Sequence, residues 1–291
     1  MLDWIDISSD NSEYFLKISR PKNIVYKNSL EIAHSTIAEI IKKYPPPYTL
    51  CISGGVDSQA MLYAWHTSGV PYQTCSVRYN NDLNDHDLIT LRQFSERENI
   101  KINYIDFDVL AFLENEYIEY VHRYRCGSPH FCTYMKFSEI IEEGTVLFSG
   151  TPVDPTRLLS NLFGTNELSL YRYAKLKQRH MIGYFFLETK DIAWSLNKPE
   201  TFTEISKGCI NRAKIELLWH SGYPVIPQWD KITGFEKIKD YYDINMKDRV
   251  TAKDRLARGF NGSTRVFDLL LRNKYERMYP DKYNITWNYY E

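Results

Sequence analysis

The stretch YTLCISGGVDSQAMLYAW, residues 48–65, decides the fold. Thr49 to Ile52 is a short apolar run with β-branched and Cys content, which suits a buried strand. Ser53-Gly54-Gly55 breaks that run. Apolar residues then fall at Val56, Ala60, Leu62, Tyr63 and Ala64, as in a helix packed on a sheet. Asp57 and Ser58 sit in its first turn. Two glycines let the backbone come close to a ligand, and the open N–H groups at a helix start favour an anion there. The hydroxyls of Ser53 and Ser58 add donors. No Lys follows the glycines as a Walker loop needs, and the third Gly of the dinucleotide fingerprint is missing.

Outward from this stretch the chain alternates. Upstream, Tyr14–Ile18 and Asn23–Tyr26 are expected strands with Pro21 between them. Asn28-Ser29 begins a helix with an apolar stripe from Leu30 to Ile41, and Pro45-Pro46-Pro47 stops it. Downstream come a strand over Tyr72–Tyr79, a helix from about Asp87 to Asn99, a strand over Ile100–Phe107 and a helix over Val109–Arg123. Pro129 then opens a helix that ends at Glu143-Gly144, before a fourth strand over Thr145–Phe148. This order predicts an α/β fold, a doubly wound parallel sheet over residues 48–157. An N-terminal extension, 1–47, precedes it, and an α-rich region, 158–291, follows.

In such sheets ligands bind beyond the carboxyl ends of the strands. The Ser53 loop, Arg78 to Asn84 and Asp106 to Asp108 are therefore expected on one rim. A second small-residue turn, Ser149-Gly150-Thr151-Pro152-Val153-Asp154, ends the fourth strand. From Leu158 the alternation stops. Helices are expected over 158–163, 167–181, 190–195, 205–220 and 266–279. Arg255, Arg258 and Arg265 are candidates for phosphate or substrate contacts, and the aromatic tail from Tyr283 is expected to pack on its own domain or on a second subunit.

Composition bounds the partners. Among 291 residues, 36 basic against 37 acidic side chains argue against a polyanion-coating protein. The 23 Tyr suit core and rim packing before base stacking. Five Cys and no signal peptide fit a reducing cytoplasm, and no apolar run reaches the ~18 residues of a membrane span. Cys126 and Cys132, with His122 and His130, lack the C-x-x-C spacing of a strong zinc site.

Ser53-Gly54-Gly55-Val56-Asp57-Ser58 resembles the SGGxDS signature of the PP-loop ATP pyrophosphatases. The resemblance covers Tyr48 to Asp154 and implies the adenine nucleotide alpha-hydrolase-like (HUP) fold and the use of ATP. It gives the loop, Ser53 to Ser58, the pyrophosphate end of ATP, and gives Asp57 Mg2+. Val77 and Arg78 become candidates beside adenine and ribose. Gly150 and Thr151 match the second nucleotide-facing loop, and Asp154 the residue there that helps hold Mg2+. Asp230-Lys231 followed by Gly234-Phe235-Glu236 looks like the asparagine synthetase segment whose lysine reaches the pyrophosphate, so Lys231 is the candidate. A helix N-cap at Thr233, boxed by Glu236, explains the same residues structurally.

In this superfamily ATP adenylates a substrate oxygen, pyrophosphate leaves, and a nitrogen or sulfur nucleophile displaces AMP. Departures narrow the branch. Leu2 stands where glutamine-dependent asparagine synthetase has its nucleophilic Cys, so ammonia or another amine is expected from outside. The Cys cluster of the 7-cyano-7-deazaguanine synthases is absent, and Cys126 and Cys132 fit the thiolating tRNA enzymes poorly. The expectation is an asparagine synthetase-like, AMP-forming ligase acting on a small molecule or nucleotide substrate. A tRNA or nucleic-acid base modification enzyme and a non-catalytic ATP-binding sensor are the alternatives. A homo-oligomer remains open.

Overall fold

The computed structural model describes residues 5–10, 13–21, 28–150, 165–195, 210–229, 234–251, 265–272, 275 and 282–290. Asn28 caps the first helix, α1 (Ser29–Lys43), its side-chain oxygen accepting from the Leu30 N–H at 3.0 Å. The prolines then deliver β3 (Tyr48–Cys51), buried along its whole length. Two earlier strands are β1 (Ile5–Asp10) and β2 (Glu13–Pro21).

After β3 come α2 (Val56–Ser68), β4 (Gln73–Tyr79), α3 (Asp85–Arg97), β5 (Tyr104–Phe107), α4 (Val109–Asn115), α5 (Tyr117–Tyr124), α6 (Pro129–Ile140) and β6 (Thr145–Phe148). The expected third strand is shorter than its apolar pattern. The single expected helix after it is two, because Glu116 leaves helical geometry at φ −117° and pairs with Lys136 at 2.5 Å.

Five strands form one parallel sheet in the order β5-β4-β3-β6-β7, where β7 is Met181–Ile182. That fifth strand lies past the point where alternation was expected to stop; two residues carry too little pattern to read from sequence. The order reverses at β3, which places the crevice beyond its carboxyl end. Alternation along β3 divides the core. Leu50 and Ile52 join Ile37, Met61 and Leu91 on one face, while Cys51 joins Tyr79, Val121, Met135 and Phe148 on the other.

The remaining helices are α7 (Thr165–Lys177), α8 (Lys190–Ser195), α9 (Ile210–His220) and α10 (Gly234–Asn245). A second sheet joins the ends of the chain. β1 runs antiparallel to β2, and β8 (Lys282–Tyr290) runs parallel to β2 in the register Glu13↔Lys282 through Pro21↔Tyr290. The aromatic tail is thus a strand. The expected strand at 23–26 and helix at 158–163 lie outside the described residues, as does most of 273–279; Asp268–Arg272 is a π-helical turn.

The abundant tyrosine serves the core. Tyr117, Tyr124, Tyr173, Tyr223 and Tyr242 are fully buried. Their hydroxyls find partners, as buried phenols require: Tyr117 donates to the Gly127 carbonyl at 2.7 Å and Tyr223 to the Ser29 carbonyl at 3.2 Å. Glu139 centres another such network, accepting from Tyr120 at 2.6 Å and pairing with Lys177 at 2.8 Å. Burial pushes the Glu139 carboxyl up, but hydrogen bonds from Lys177 and Tyr120 outweigh it and hold it below its ordinary value of 4.5. Its stabilisation is full above that ordinary value and disappears as pH falls through the lowered one. Glu139→Gln is expected to cost about 1–3 kcal/mol at neutral pH. Thermal melts across the acid range should show the variant losing less stability than the parent protein; parallel losses would sink the assignment.

Candidate active site

The site begins where β3 ends. The Ile52 N–H still bonds the Cys75 carbonyl at 2.9 Å, and the chain then turns at Gly54 with φ +85°. A Cβ on Gly54 would lie 2.2 Å from the Asp87 carbonyl oxygen, so close approach and conformation both demand glycine. Gly55 is the N-cap of α2 and supplies no side-chain cap, which leaves first-turn N–H groups for an incoming anion. Ser58 donates to the Gly55 carbonyl at 2.8 Å, and the Ser53 and Ser58 hydroxyls stand 3.4 Å apart. Gln59, fully buried, clamps the turn: its amide donates to the Gly54 carbonyl at 2.7 Å and its oxygen accepts from the Ile226 N–H at 2.7 Å.

Asp57 stands in the first turn of α2 and meets Lys214 of α9, Nζ to Oδ2 2.8 Å, with both side chains largely buried. A cavity of about 400 Å3 opens beside them. Ser53, Gly55, Asp57 and Ser58 line one end. Val77, Tyr79, Asn84 and Asp87 line a second side, and Ser149 and Gly150 a third. Asn84 fixes the end of β4 by donating to the Val77 carbonyl and accepting from the Tyr79 N–H, both at 2.8 Å. Asp87 accepts from the Gly234 N–H at 3.2 Å and so holds the start of α10. The expected Thr233–Glu236 capping box involves Thr233, which lies outside the described residues; Glu236 pairs with Lys239 and Arg265.

Aromatic rings form the remaining wall. Tyr134 stacks on Phe148 at 5.0 Å, and His130 lies 4.4 Å from Tyr134 and 4.7 Å from Phe235. Burial pushes the Tyr134 phenol up, and the charges of Asp87 and Asp57 add to the shift. Cys51, also in the wall, is raised by burial and then by Cys75, whose own thiol is pushed up to about 11. Both stay protonated at neutral pH, which makes them packing residues and not nucleophiles.

Ser53, Gly55, Asp57, Ser58, Val77 and Gly150 therefore meet at one cavity. Gly54 lies under the turn against Asp87, and Val56 is buried in the core. Arg78 does not line the cavity. It points along the other face of β4 and grips Asp106 with two hydrogen bonds, at 2.8 and 3.0 Å. Arg265 faces Glu236, Asp240 and Asp243. Thr151, Asp154, Lys231, Arg255 and Arg258 lie outside the described residues. Among the described residues no group of three His, Cys, Asp or Glu is placed to hold a metal. Lys214 and Gln59 were not singled out from sequence; Asn84 was expected on the rim as the end of the Arg78–Asn84 stretch, and Asp87 was named only as a helix start. Lys214 stands 157 residues from its partner, and no linear signal reports such a pair. Gln59 had a weak one, a polar residue on the packed side of a helix.

The Ser53–Ser58 loop, whose sequence resembles the SGGxDS signature, sits between β3 and α2 at the point where the strand order reverses. No family model and no curated protein matches the chain. Solved structures similar to it include three enzymes. The U34-tRNA thiolase NcsA of Methanococcus maripaludis, with its 4Fe-4S cluster, is 12% identical over 86% of this chain and 78% of its own, at a TM-score of 0.38. An NMN synthetase from Francisella tularensis is 14% identical over 88% and 94%, at 0.32. A glutamine-dependent NAD+ synthetase from Acinetobacter baumannii, in complex with ADP, is 14% identical over 91% and 48%, at 0.33. At these values the likeness carries nothing about activity. Among the described residues no helix is long and apolar enough to cross a membrane.

Proposed function

We propose that this chain is an ATP-dependent adenylating enzyme of the PP-loop type, forming AMP and pyrophosphate. The observation that carries the reading is the Ser53–Ser58 loop at the sheet's switch point, opening into the cavity with Asp57 held by Lys214. The α2 N–H groups and the Ser53 hydroxyl fit a pyrophosphate group, which Ser58 could join by turning its hydroxyl away from the Gly55 carbonyl. Asp57 is the carboxylate that would hold Mg2+, with Asp154 as a second candidate. ATP, when bound, supplies the adenylyl group.

The reaction proposed is attack of a carboxylate or carbonyl oxygen on the α-phosphorus, with the P–O bond to pyrophosphate breaking. Ammonia or an amine then forms a C–N bond as the C–O bond to AMP breaks, and the nitrogen gives up its proton. The chain's task is to orient these groups and to offset charge as it builds on the leaving pyrophosphate. Lys214, 2.8 Å from Asp57, is the cation proposed for that role. ATP binding would draw its ammonium from Asp57 to the phosphates and leave the carboxylate to Mg2+. Lys214→Met is expected to lower kcat by about 10²-fold, with Lys214→Arg retaining more, since one fixed charge-stabilising donor is worth about that much. The test is a product assay with α-labelled ATP, Mg2+ and fractionated metabolites. AMP appearing with pyrophosphate supports the reading, and ADP appearing with phosphate overturns it.

A further inference from the structure

The loop and Asp57 account for one end of the cavity. The other end is walled by Tyr79, Tyr134, Phe235 and Asp87, with His130 bridging two of the rings. Its chemistry differs from that of a phosphate site. Asp87 is 7% exposed and brings acceptor oxygens to this wall, where a phosphate needs donors. One carboxylate among rings also supplies too few oxygens for a hard divalent cation. Aromatic faces and a buried carboxylate together suit an organic cation, which gains from the ring quadrupoles and from the opposite charge.

We propose that this compartment binds an alkylammonium group carried on an apolar or aromatic body. The inference rests on the adenylation reading and deepens it by naming the nucleophile as a bulky organic amine in place of ammonia. The amine is freed when the bound ammonium gives a proton to water, and it attacks the adenylate carbon as the C–O bond to AMP breaks. Its binding claim stands on the compartment alone. Tyr79 and Phe235 meet edge to face at 6.3 Å, and Asp87 of α3 accepts from the Gly234 N–H at the start of α10, so the rings and the carboxyl group line the same part of the cavity. The phenols of Tyr79 and Tyr134 are both raised by burial, and each also feels the Asp87 charge.

The test uses three probes of like size: 2-phenylethylammonium, 2-phenylethanol and phenylacetate. Binding to the full chain is measured by calorimetry and saturation-transfer NMR, with and without Mg-ATP. The ammonium is expected to bind about tenfold more tightly than the alcohol, with phenylacetate weakest, and to remain bound under saturating Mg-ATP. Asp87→Asn keeps an acceptor for the Gly234 N–H while removing the charge, and it should abolish the ammonium's advantage. Phe235→Leu should weaken both the ammonium and the alcohol. Equal affinity for the ammonium and the alcohol overturns the proposal, as does indifference to Asp87→Asn in a folded variant. Displacement of the probe by ATP or adenosine also overturns it, because the compartment would then seat the nucleoside. If Asp87→Asn fails to fold, the three-probe series and Phe235→Leu decide. Loss of ATP–pyrophosphate exchange alongside intact ammonium binding would remove the adenylation reading and leave the amine site standing.

Discussion

On the proposed adenylation reading, Asp57→Asn is expected to lower ATP–pyrophosphate exchange about 10²–10³-fold, with AMP and pyrophosphate falling together. Asp57 is the carboxylate nearest the open N–H groups of α2, and it has Lys214 at 2.8 Å. The variant also strands a largely buried ammonium, at a cost of about 1–3 kcal/mol. Stability and chemistry separate in the double variant Asp57→Asn/Lys214→Met. Removing both charges is expected to restore most of the lost stability while exchange stays absent. Denaturant titration reads the first effect and labelled exchange the second. Exchange that survives Asp57→Asn unchanged would falsify the role given to this residue.

Gly54→Ala carries the largest expected structural effect. At φ +85° an L side chain costs about 1–2 kcal/mol before any contact is considered. The new Cβ would then stand 2.2 Å from the Asp87 carbonyl oxygen, a backbone atom that cannot swing aside. Relief requires moving the first turn of α3, and with it Asn84 and Asp87 at the cavity rim. A total loss of about 3 kcal/mol or more is expected, together with loss of exchange. Gly69→Ala is the control. Gly69 has a similar φ, +74°, but nothing lies within 4 Å of its Cβ position. That variant should lose only about 1–2 kcal/mol and keep its exchange activity. Equal behaviour of the two variants would show that conformation alone, and not the approach to Asp87, makes Gly54 necessary.

Local pattern was sufficient wherever an element is long or sharply punctuated. The apolar stripe of α1 with Asn28 as its cap, the buried run of β3 and Pro129 at the start of α6 all follow from periodicity and capping chemistry. The strand–turn–helix setting of Ser53–Ser58 belongs to the same class, because glycine and the helix start act over only a few bonds. Failures came where a partner distant in sequence decides. Glu116 breaks a helix whose periodicity runs through it, and Lys136 holds it there. β7 is two residues long and owes its place to pairing with β6.

By itself, then, the sequence determined the parallel α/β alternation and the position of the phosphate-type loop, since both rest on interactions between near neighbours. Tertiary structure decided which charges and rings join that loop. Lys214 reaches Asp57 across 157 residues, Gln59 ties the loop to Ile226, and Asp87 meets Gly234 across 147 residues. It also turned Arg78 toward Asp106 and gave the aromatic rings of α6 and α10 a common wall. The physical reason is the same in each case. A buried ion pair or ring contact is set by how helices pack on the two faces of the sheet, and packing leaves no periodic trace in the residues that meet.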